Sequence, residues 1–376
     1  MKSLRISIAT FFLLISVITP FTIGAASANQ SNQPLIILSE TFHREVNGKF
    51  TDDSLGESIS VTGKLFQKVS DAPKKATWLI DPQVIEEILD MSDGYTVLPD
   101  TQGVFEGAAR TFLELLRARL GKNQLYALPY GSPNLEIRGK ISDIELAQLQ
   151  SVSALRLARA LELPVSAGLP QEYVSSGKTP GNKAKTAFAI LHKTLNKIGT
   201  ITTDSEVAEV ALRSNALLNP ELSPKKLQYL SILLNGTVDR LEKKVKVLPG
   251  KYTLTSTNEE IPVTIVNNFS APAEVVLILH AENARIVIDT AKKVKIGENS
   301  RKQVLITAKA IANGKVRVEA RLETTKGARY GESNFLQFTI SMIGPVITWV
   351  MVGAGILLLV ASGFQIYRRA KRSAVK

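Results

Sequence analysis

Apolar positions along this chain change spacing several times, and each change marks an element boundary. From about Pro34 to Lys244 short continuous apolar runs alternate with helical patterns; after Val245 only strand patterns remain. In the first region Pro34 to Leu38, Ala76 to Ile80, Leu125 to Leu128 and the short Val165 to Ala167 read as buried strands. Asp81-Pro82 supplies an N-cap and a first-turn proline for a helix bearing Ile85, Ile88 and Leu89 on one face. Phe105, Ala108, Phe112, Leu115 and Leu116 form a second helical stripe closed by Gly121. Ser142-Asp143-Ile144-Glu145 is a capping box before the periodic run Leu146 to Leu161. The alternation predicts β/α units around a parallel sheet. A Gly-, Pro- and Ser-rich stretch, Ser166 to Gly181, predicts a long loop, followed by a helical extension near Lys185 to Lys197, Ser205 to Leu218 and Pro224 to Lys244. Asp204 and Ser223 are the N-cap candidates there, and Leu227, Leu230, Leu234 and Leu241 form one stripe.

Beyond Lys251 period-two runs begin near Tyr252, Ile261, Glu274, Arg285, Lys302, Lys315 and Asn334, with turn signals at Asn313-Gly314 and Lys326-Gly327. Seven short strands in about 90 residues predict an immunoglobulin-like β-sandwich, of a kind without the inter-sheet cysteines or core tryptophan of antibody domains.

The two ends read differently. Lys2 and Arg5 precede an apolar run from Ile6 to Ile23 and the small-residue stretch Gly24 to Ala28, which predicts a signal peptide (residues 1–28) removed before Asn29. Ile343 to Phe364 is 22 residues without a charge, about 33 Å as a helix, enough to cross a bilayer. The predicted organisation is therefore signal peptide 1–28, β/α domain with helical extension 29–244, sandwich 245–341, transmembrane helix 342–366 and basic tail 367–376. Arg368, Arg369, Lys371 and Arg372 follow the span with no acidic residue among them, which predicts a cytoplasmic C-terminus and an extracytoplasmic body at the plasma membrane. Gly353 and Gly355 inside the span are candidates for close helix packing.

Composition refines this picture. The formal charge of +12 suggests a polyanion binder until it is partitioned: the signal region carries +2, the tail +5, and the body keeps 39 basic against 34 acidic residues. With no aromatic interleaving of the lysine pairs, nucleic acid is not an expected partner. The absence of cysteine removes disulfides, thiolate metal sites and a lipidated cysteine.

Candidate chemistry is sparse. The three histidines, His43, His192 and His280, lie in separate segments, so no metal is expected; no P-loop or Gly-x-Ser-x-Gly elbow occurs, and no cofactor is implied. Ser-x-x-Lys appears at Ser175 to Lys178 and Ser223 to Lys226 without its companion motifs, and reads as loop and helix-cap sequence. The segments Trp78 to Pro82 and Leu128 to Asn134 both fall where strands end, the edge that carries ligands in parallel β/α folds. Asp81, Tyr130 and Asn134 are the candidate binding residues there, although a helix N-cap and a turn account for Asp81 and Pro133 equally well.

On Trp78 to Pro82, Leu128 to Asn134, Ile261 to Asn267 and the ending Ile347-Thr-Trp349 with its glycine-containing span and arginine-rich tail, the sequence resembles a family of actinobacterial single-pass cell-envelope proteins of unknown function. The resemblance implies genes beside the lipid II flippase and an N-terminal domain similar in outline to sugar-processing barrels. The chain is shorter than typical members near Ser166 to Gly181, so the implied barrel is partial, and Asn134 stands where relatives carry an acid. Taken together, the expectation is a non-enzymatic envelope module that binds cell-wall glycan or a peptidoglycan-synthesis membrane protein; the alternative is a glycan hydrolase or its degenerate descendant.

Overall fold

The computed structural model describes residues 33–134, 143–174, 178–342 and 345–373, so the expected signal segment lies outside the described residues. The chain divides into two compact units, Met1–Glu242 and Lys243–Lys376.

In the first unit β1 (Leu35–Leu38) leads through α1 (Ser54–Ile59) and α2 (Lys64–Ser70) to β2 (Thr77–Ile80). There follow α3 (Pro82–Ser92), a hairpin of β3 (Thr96–Val97) and β4 (Thr101–Gln102), α4 (Glu106–Leu120), β5 (Gln124–Ala127) and α5 (Asp143–Leu161). The three longer strands form a parallel sheet in the order β1-β2-β5, with Leu38 opposite Ile80 and Ile80 opposite Ala127. Sequential parallel order with helical crossovers is the arrangement of one arc of a β/α barrel. β2 is buried along its whole length, which is why its sequence reads as continuous apolar rather than alternating. Trp78 and Ile80 pack with Ile85 and Ile88 of α3, Phe112 and Leu116 of α4 and Leu157 of α5 in one core. Each such side chain contributes about 1.5–3 kcal/mol by burial.

Asp81 caps α3, accepting from the Gln83 N–H at 2.9 Å, and Gly121 stands just past α4 with φ +45°. The expected strand at Val165 to Ala167 reduces to one parallel bridge between Ser166 and Tyr126, because the chain there makes a single ladder contact before entering the loop. The helical extension comprises α6 (Asn182–Gly199), α7 (Ser205–Ser214), a 3₁₀ turn (Asn215–Leu218) and α8 (Pro224–Glu242). Asp204 caps α7 through the Glu206 N–H, and Leu230, Leu234 and Leu241 of the α8 stripe are buried.

The second unit runs β6 (Val245–Val247), β7 (Gly250–Leu254), β8 (Asn258–Asn267), β9 (Ala273–Ala281), β10 (Ile286–Ile288), β11 (Ala291–Ile296), β12 (Ser300–Ala310), β13 (Gly314–Glu323) and β14 (Arg329–Ile340), then α9 (Pro345–Ser373). Its strands form a four-stranded sheet, β10-β12-β8-β6, and a five-stranded sheet, β11-β9-β13-β14-β7. All pairings are antiparallel except β7 with β14. Alternate residues of β9, β12 and β13 point into the core, among them Val275, Leu277, Ile306 and Val318. All seven expected strands are present; β6 and β11 are additional, the former three residues long and the latter carrying Lys292, Lys293 and Lys295. In α9 the segment Trp349–Arg368 is long and apolar enough to cross a membrane.

Candidate functional site

Asp81, Tyr130 and Asn134 come together at the carboxyl end of the parallel sheet. The Asp81 N–H donates to the Leu38 carbonyl at 2.9 Å, continuing the β1-β2 ladder past its last pair. Its carboxylate accepts from the Gly131 N–H at 3.2 Å and the Ser132 hydroxyl at 2.6 Å, clamping the turn that follows β5. Gly131 sits at φ +78°, and a Cβ there would lie 2.8 Å from the Ala216 nitrogen, so both the conformation and the approach to the 3₁₀ turn require glycine. The Tyr130 N–H donates to Ser153 Oγ at 2.9 Å and its hydroxyl to Glu86 at 3.0 Å, with the Arg156 guanidinium 5.2 Å above the ring. The Asn134 N–H donates to the Leu218 carbonyl at 2.9 Å, and its side-chain amide donates to the Lys178 carbonyl. The relative exposures are 0, 1 and 3 per cent, so all three residues are inside the unit, Tyr130 packing with Leu212 and Asn134 bonding to Leu218 of the helical extension. Burial pushes the Asp81 carboxyl up to about 7, against the hydrogen bonds from Ser132, Gln83 and Gly131.

A second buried polar set adjoins it, from segments that no motif connects. Glu87 on α3 is buried, and its carboxyl is pushed up by desolvation against the charges of His43, Arg44 and Arg213. Glu87 Oε1 accepts from the Gln83 side chain at 3.0 Å and the His43 N–H at 3.4 Å. Arg213 on α7 donates to the carbonyls of Arg44 and Glu45 at 3.3 and 3.4 Å and to Glu209 at 2.7 Å, while Arg44 is paired with Asp90. Glu209 and Glu86 are shared with Arg156, so carboxylates and guanidinium groups interleave between α3, α5 and α7.

Beside this buried network opens a polar cleft of about 360 Å³. It is lined by Ser39, Glu40 and Thr41 after β1, by Lys64 of α2, and by Asn219, Glu221, Ser223 and Lys226 in and just before the first turn of α8. Among the described residues all the lining side chains are polar or charged. Lys64 pairs with Glu40 at 2.5 Å and Lys178 with Glu221 at 2.8 Å. Lys226 Nζ reaches Thr41 Oγ1 at 3.2 Å, the Phe42 carbonyl at 3.4 Å and His43 Nδ1 at 3.4 Å. Lys226 Nζ also pairs with Asp52 Oδ2 at 3.7 Å, an oxygen that accepts from the Thr51 hydroxyl at 3.2 Å, while Asp52 Oδ1 contacts His43 at 3.1 Å and accepts from the Ser54 N–H at 3.0 Å. The His43 hydrogen bond holds the Asp52 carboxyl well below the usual carboxylate range. Asn219 ties the cleft to the Asp81 turn by donating to the Gly131 carbonyl at 3.2 Å.

Ser223 and Lys226 belong to a Ser-x-x-Lys sequence whose reading as helix cap holds, since the Lys226 N–H donates to Ser223 Oγ at 3.3 Å. The sequence did carry one signal for the cleft: Lys225 and Lys226 occupy the first turn of α8, where acidic residues are favoured and none occurs. Among the described residues no group of three or more His, Asp or Glu side chains could hold a metal ion. His192 is half-buried against Phe188 and Ser214, and desolvation there pushes its imidazole down to about 4. His280 lies exposed on β9. Gly353 and Gly355 are both in α9, two residues apart and therefore on different faces. Arg368 and the positions of Arg369, Lys371 and Arg372 fall on its last turns.

These features define a two-unit protein with a β/α arc, a β-sandwich and one apolar helix of membrane-spanning length. A model of a family of unknown function, DUF6049, matches residues 197–374. No curated protein matches the chain. Among solved structures, a Caenorhabditis elegans MSP family member is similar at 7% identity and TM-score 0.21, over 26% of this chain and 98% of that one. A CARDB domain from Pyrococcus furiosus is similar at 10% identity and TM-score 0.21, over 27% and 93%. The N-terminal domain of PorA is similar at 12% identity and TM-score 0.20, over 26% and 96%.

Proposed function

We propose that this chain is a membrane-anchored, non-enzymatic binding module of the cell envelope, linked to cell-wall assembly. Its β/α unit binds glycan in the polar cleft beside the sheet edge, and its sandwich acts as a spacer next to the bilayer. The observation that carries the reading is the cleft itself: hydroxyls, amides, carboxylates and ammonium groups converge from the segment after β1 and the start of α8, an array suited to a polyhydroxylated ligand. In this reading α9 crosses the membrane and Arg368, Arg369, Lys371 and Arg372 hold its end in the cytoplasm.

The hydrolase alternative draws on Asp81, whose raised carboxyl has the character of a general acid. Its burial separates it from the cleft, and the cleft carboxylates Glu40 and Glu221 are each neutralised by a lysine. A binding module therefore fits the geometry better. The full-length protein in lipid nanodiscs should bind soluble glycan fragments of peptidoglycan and leave them uncleaved. Absence of binding would sink the proposal, and turnover abolished by Asp81→Asn would replace it with the hydrolase. Because the chain has no cysteine, Glu298→Cys and Lys376→Cys report orientation directly. A membrane-impermeant maleimide applied to intact cells should label the first and spare the second.

A further inference from the structure

The chain leaves the sandwich at a fixed point. The Ser341 N–H donates to the Leu254 carbonyl and the Met342 N–H to Asn313 Oδ1, both at 2.8 Å, and the Asn313 amide donates back to the Met342 carbonyl at 3.4 Å. The turns after β7, β9 and β12 meet at this same end, since the Ala310 N–H donates to the Thr257 carbonyl and the Ile311 N–H to the Arg285 carbonyl. Little slack follows. No residue from Ile340 to Tyr367 is charged, and with α9 starting at Pro345 the stretch from Met342 to Trp349 spans at most about 17 Å. With Trp349 at the membrane interface, the end of the sandwich is within reach of the headgroup layer. That end carries an apolar tip: Ile311 is 53 per cent exposed, and Ala312 and Ala284 are exposed beside it. Arg285, Lys309 and Lys315 are exposed around the tip, and none is ion-paired among the described residues. The acids nearest to them are committed, Glu259 to the Thr255 and Ser256 N–H groups at 2.7 Å each and Glu282 to Arg317 at 3.4 Å. Glu260 and Asp289 stand further along the strands, level with Thr307. An exposed isoleucine ringed by unpaired cations suits a boundary where apolar side chains enter the lipid and cations meet phosphate.

We infer that this end of the sandwich rests on the bilayer surface, with Ile311 in the headgroup layer and Arg285, Lys309 and Lys315 against the phosphates of anionic phospholipids. The inference rests on the reading of α9 as the span and goes beyond it: the sandwich stands on the membrane and is not merely tethered to it.

The test uses the full-length protein in phosphatidylglycerol nanodiscs and the absence of native cysteine. A fluorophore is attached through Ala312→Cys at the tip or through Glu298→Cys in the turn between β11 and β12. That turn is at the opposite end of the sandwich, since Ser300 pairs with Asn267 there and Lys309 with Asn258 near the tip. With a nitroxide on the lipid headgroups, the label at position 312 should lose most of its emission and the label at position 298 should keep it. The loss should be smaller in phosphatidylcholine, and the difference between the two lipids should shrink as salt rises. Ile311→Ser should restore emission in both lipids. Arg285→Gln, Lys309→Gln and Lys315→Gln combined should reduce the loss in phosphatidylglycerol to that in phosphatidylcholine. Full emission from both labels in protein that has entered the nanodiscs would overturn the inference and leave α9 standing as the span. Failure of the protein to enter nanodiscs would overturn both. Equal loss at the two positions would place the sandwich on its side and overturn the contact through this end. Equal loss at position 312 in the two lipids would overturn the part assigned to the cations.

Discussion

The two units handle polar groups in opposite ways. The sandwich keeps its charges on outward positions and buries the turn-holding Thr324 and Asn267; the Asn267 amide donates to the carbonyls of Ala271 and Gly297 at 2.9 and 2.7 Å and its oxygen accepts from the Phe269 N–H at 3.0 Å. The β/α unit instead collects buried or half-buried carboxylates and guanidinium groups at the carboxyl edge of its sheet, around Asp81, Glu87, Arg44, Arg156 and Arg213. A sandwich of this construction needs only alternation to fold. The edge of the arc is held by an interlocked charge network, in which removing one member leaves others buried without a counter-charge.

That contrast can be broken at several points. The largest effect is expected from Arg213→Met, which leaves Glu209 with Arg156 as its one cationic partner among the described residues, strands two backbone carbonyls and should destabilise the first unit by about 3–5 kcal/mol, read by urea unfolding, with the sandwich transition unmoved. Gly131→Ala should cost about 2–4 kcal/mol in the same assay, because strain at positive φ adds to overlap with Ala216. Its sandwich counterpart, Gly327→Ala, has φ +79° but open space around the added methyl, and should cost about 1 kcal/mol. Asn267→Ala, which removes three hydrogen bonds from the turn after β8, should cost about 2–3 kcal/mol in the sandwich alone. An equal response of both units to any one of these changes would erase the distinction.

Proton linkage provides a finer test. With its folded value near 7 against an ordinary 3.8, Asp81 keeps in the fold a proton that the unfolded chain has lost. Its contribution is fully present below about pH 4, declines as pH rises towards 7 and is level above that. Asp81→Asn, which preserves the cap, should flatten this decline. His192 works in the opposite sense: with a folded value near 4 against 6.5, it costs stability as pH falls from about 6.5 to 4, and His192→Gln should remove that loss. The smallest effect is expected at the exposed Lys293–Glu274 pair, where Lys293→Ala should change stability by less than about 1 kcal/mol.

Much of the fold was legible because local signals agreed with burial. Asp81-Pro82 fixed the start of α3, and the alternating runs located seven sandwich strands. The lysine-rich β11 escaped because it is an edge strand with only Val294 and Ile296 buried, and β6 escaped because three residues carry no period. α1 and α2 are six and seven residues long, too short to show a stripe. For the site, the segments containing Asp81, Tyr130 and Asn134 were visible as strand ends. The cleft was not, since Glu40, Lys64, Glu221 and Lys226 are brought together only by folding, and Ser223 to Lys226 reads locally as a cap. Lysines where a helix start favours acids were the one trace of it.

The parallel pairing of β7 with β14 has a mechanical consequence. Tension between the first unit and α9 enters the sandwich at Val245 and leaves it after Ile340, so once the three residues of β6 are released it pulls β7 from its amino end and β14 from its carboxyl end. In parallel strands those two pulls slide one strand along the other, and the bonds from Leu336 opposite Gly250 to Ile340 opposite Leu254 share the load together instead of opening one after another. The strand that leads into α9 is thus built into a shear clamp, the geometry that best resists being drawn out by force.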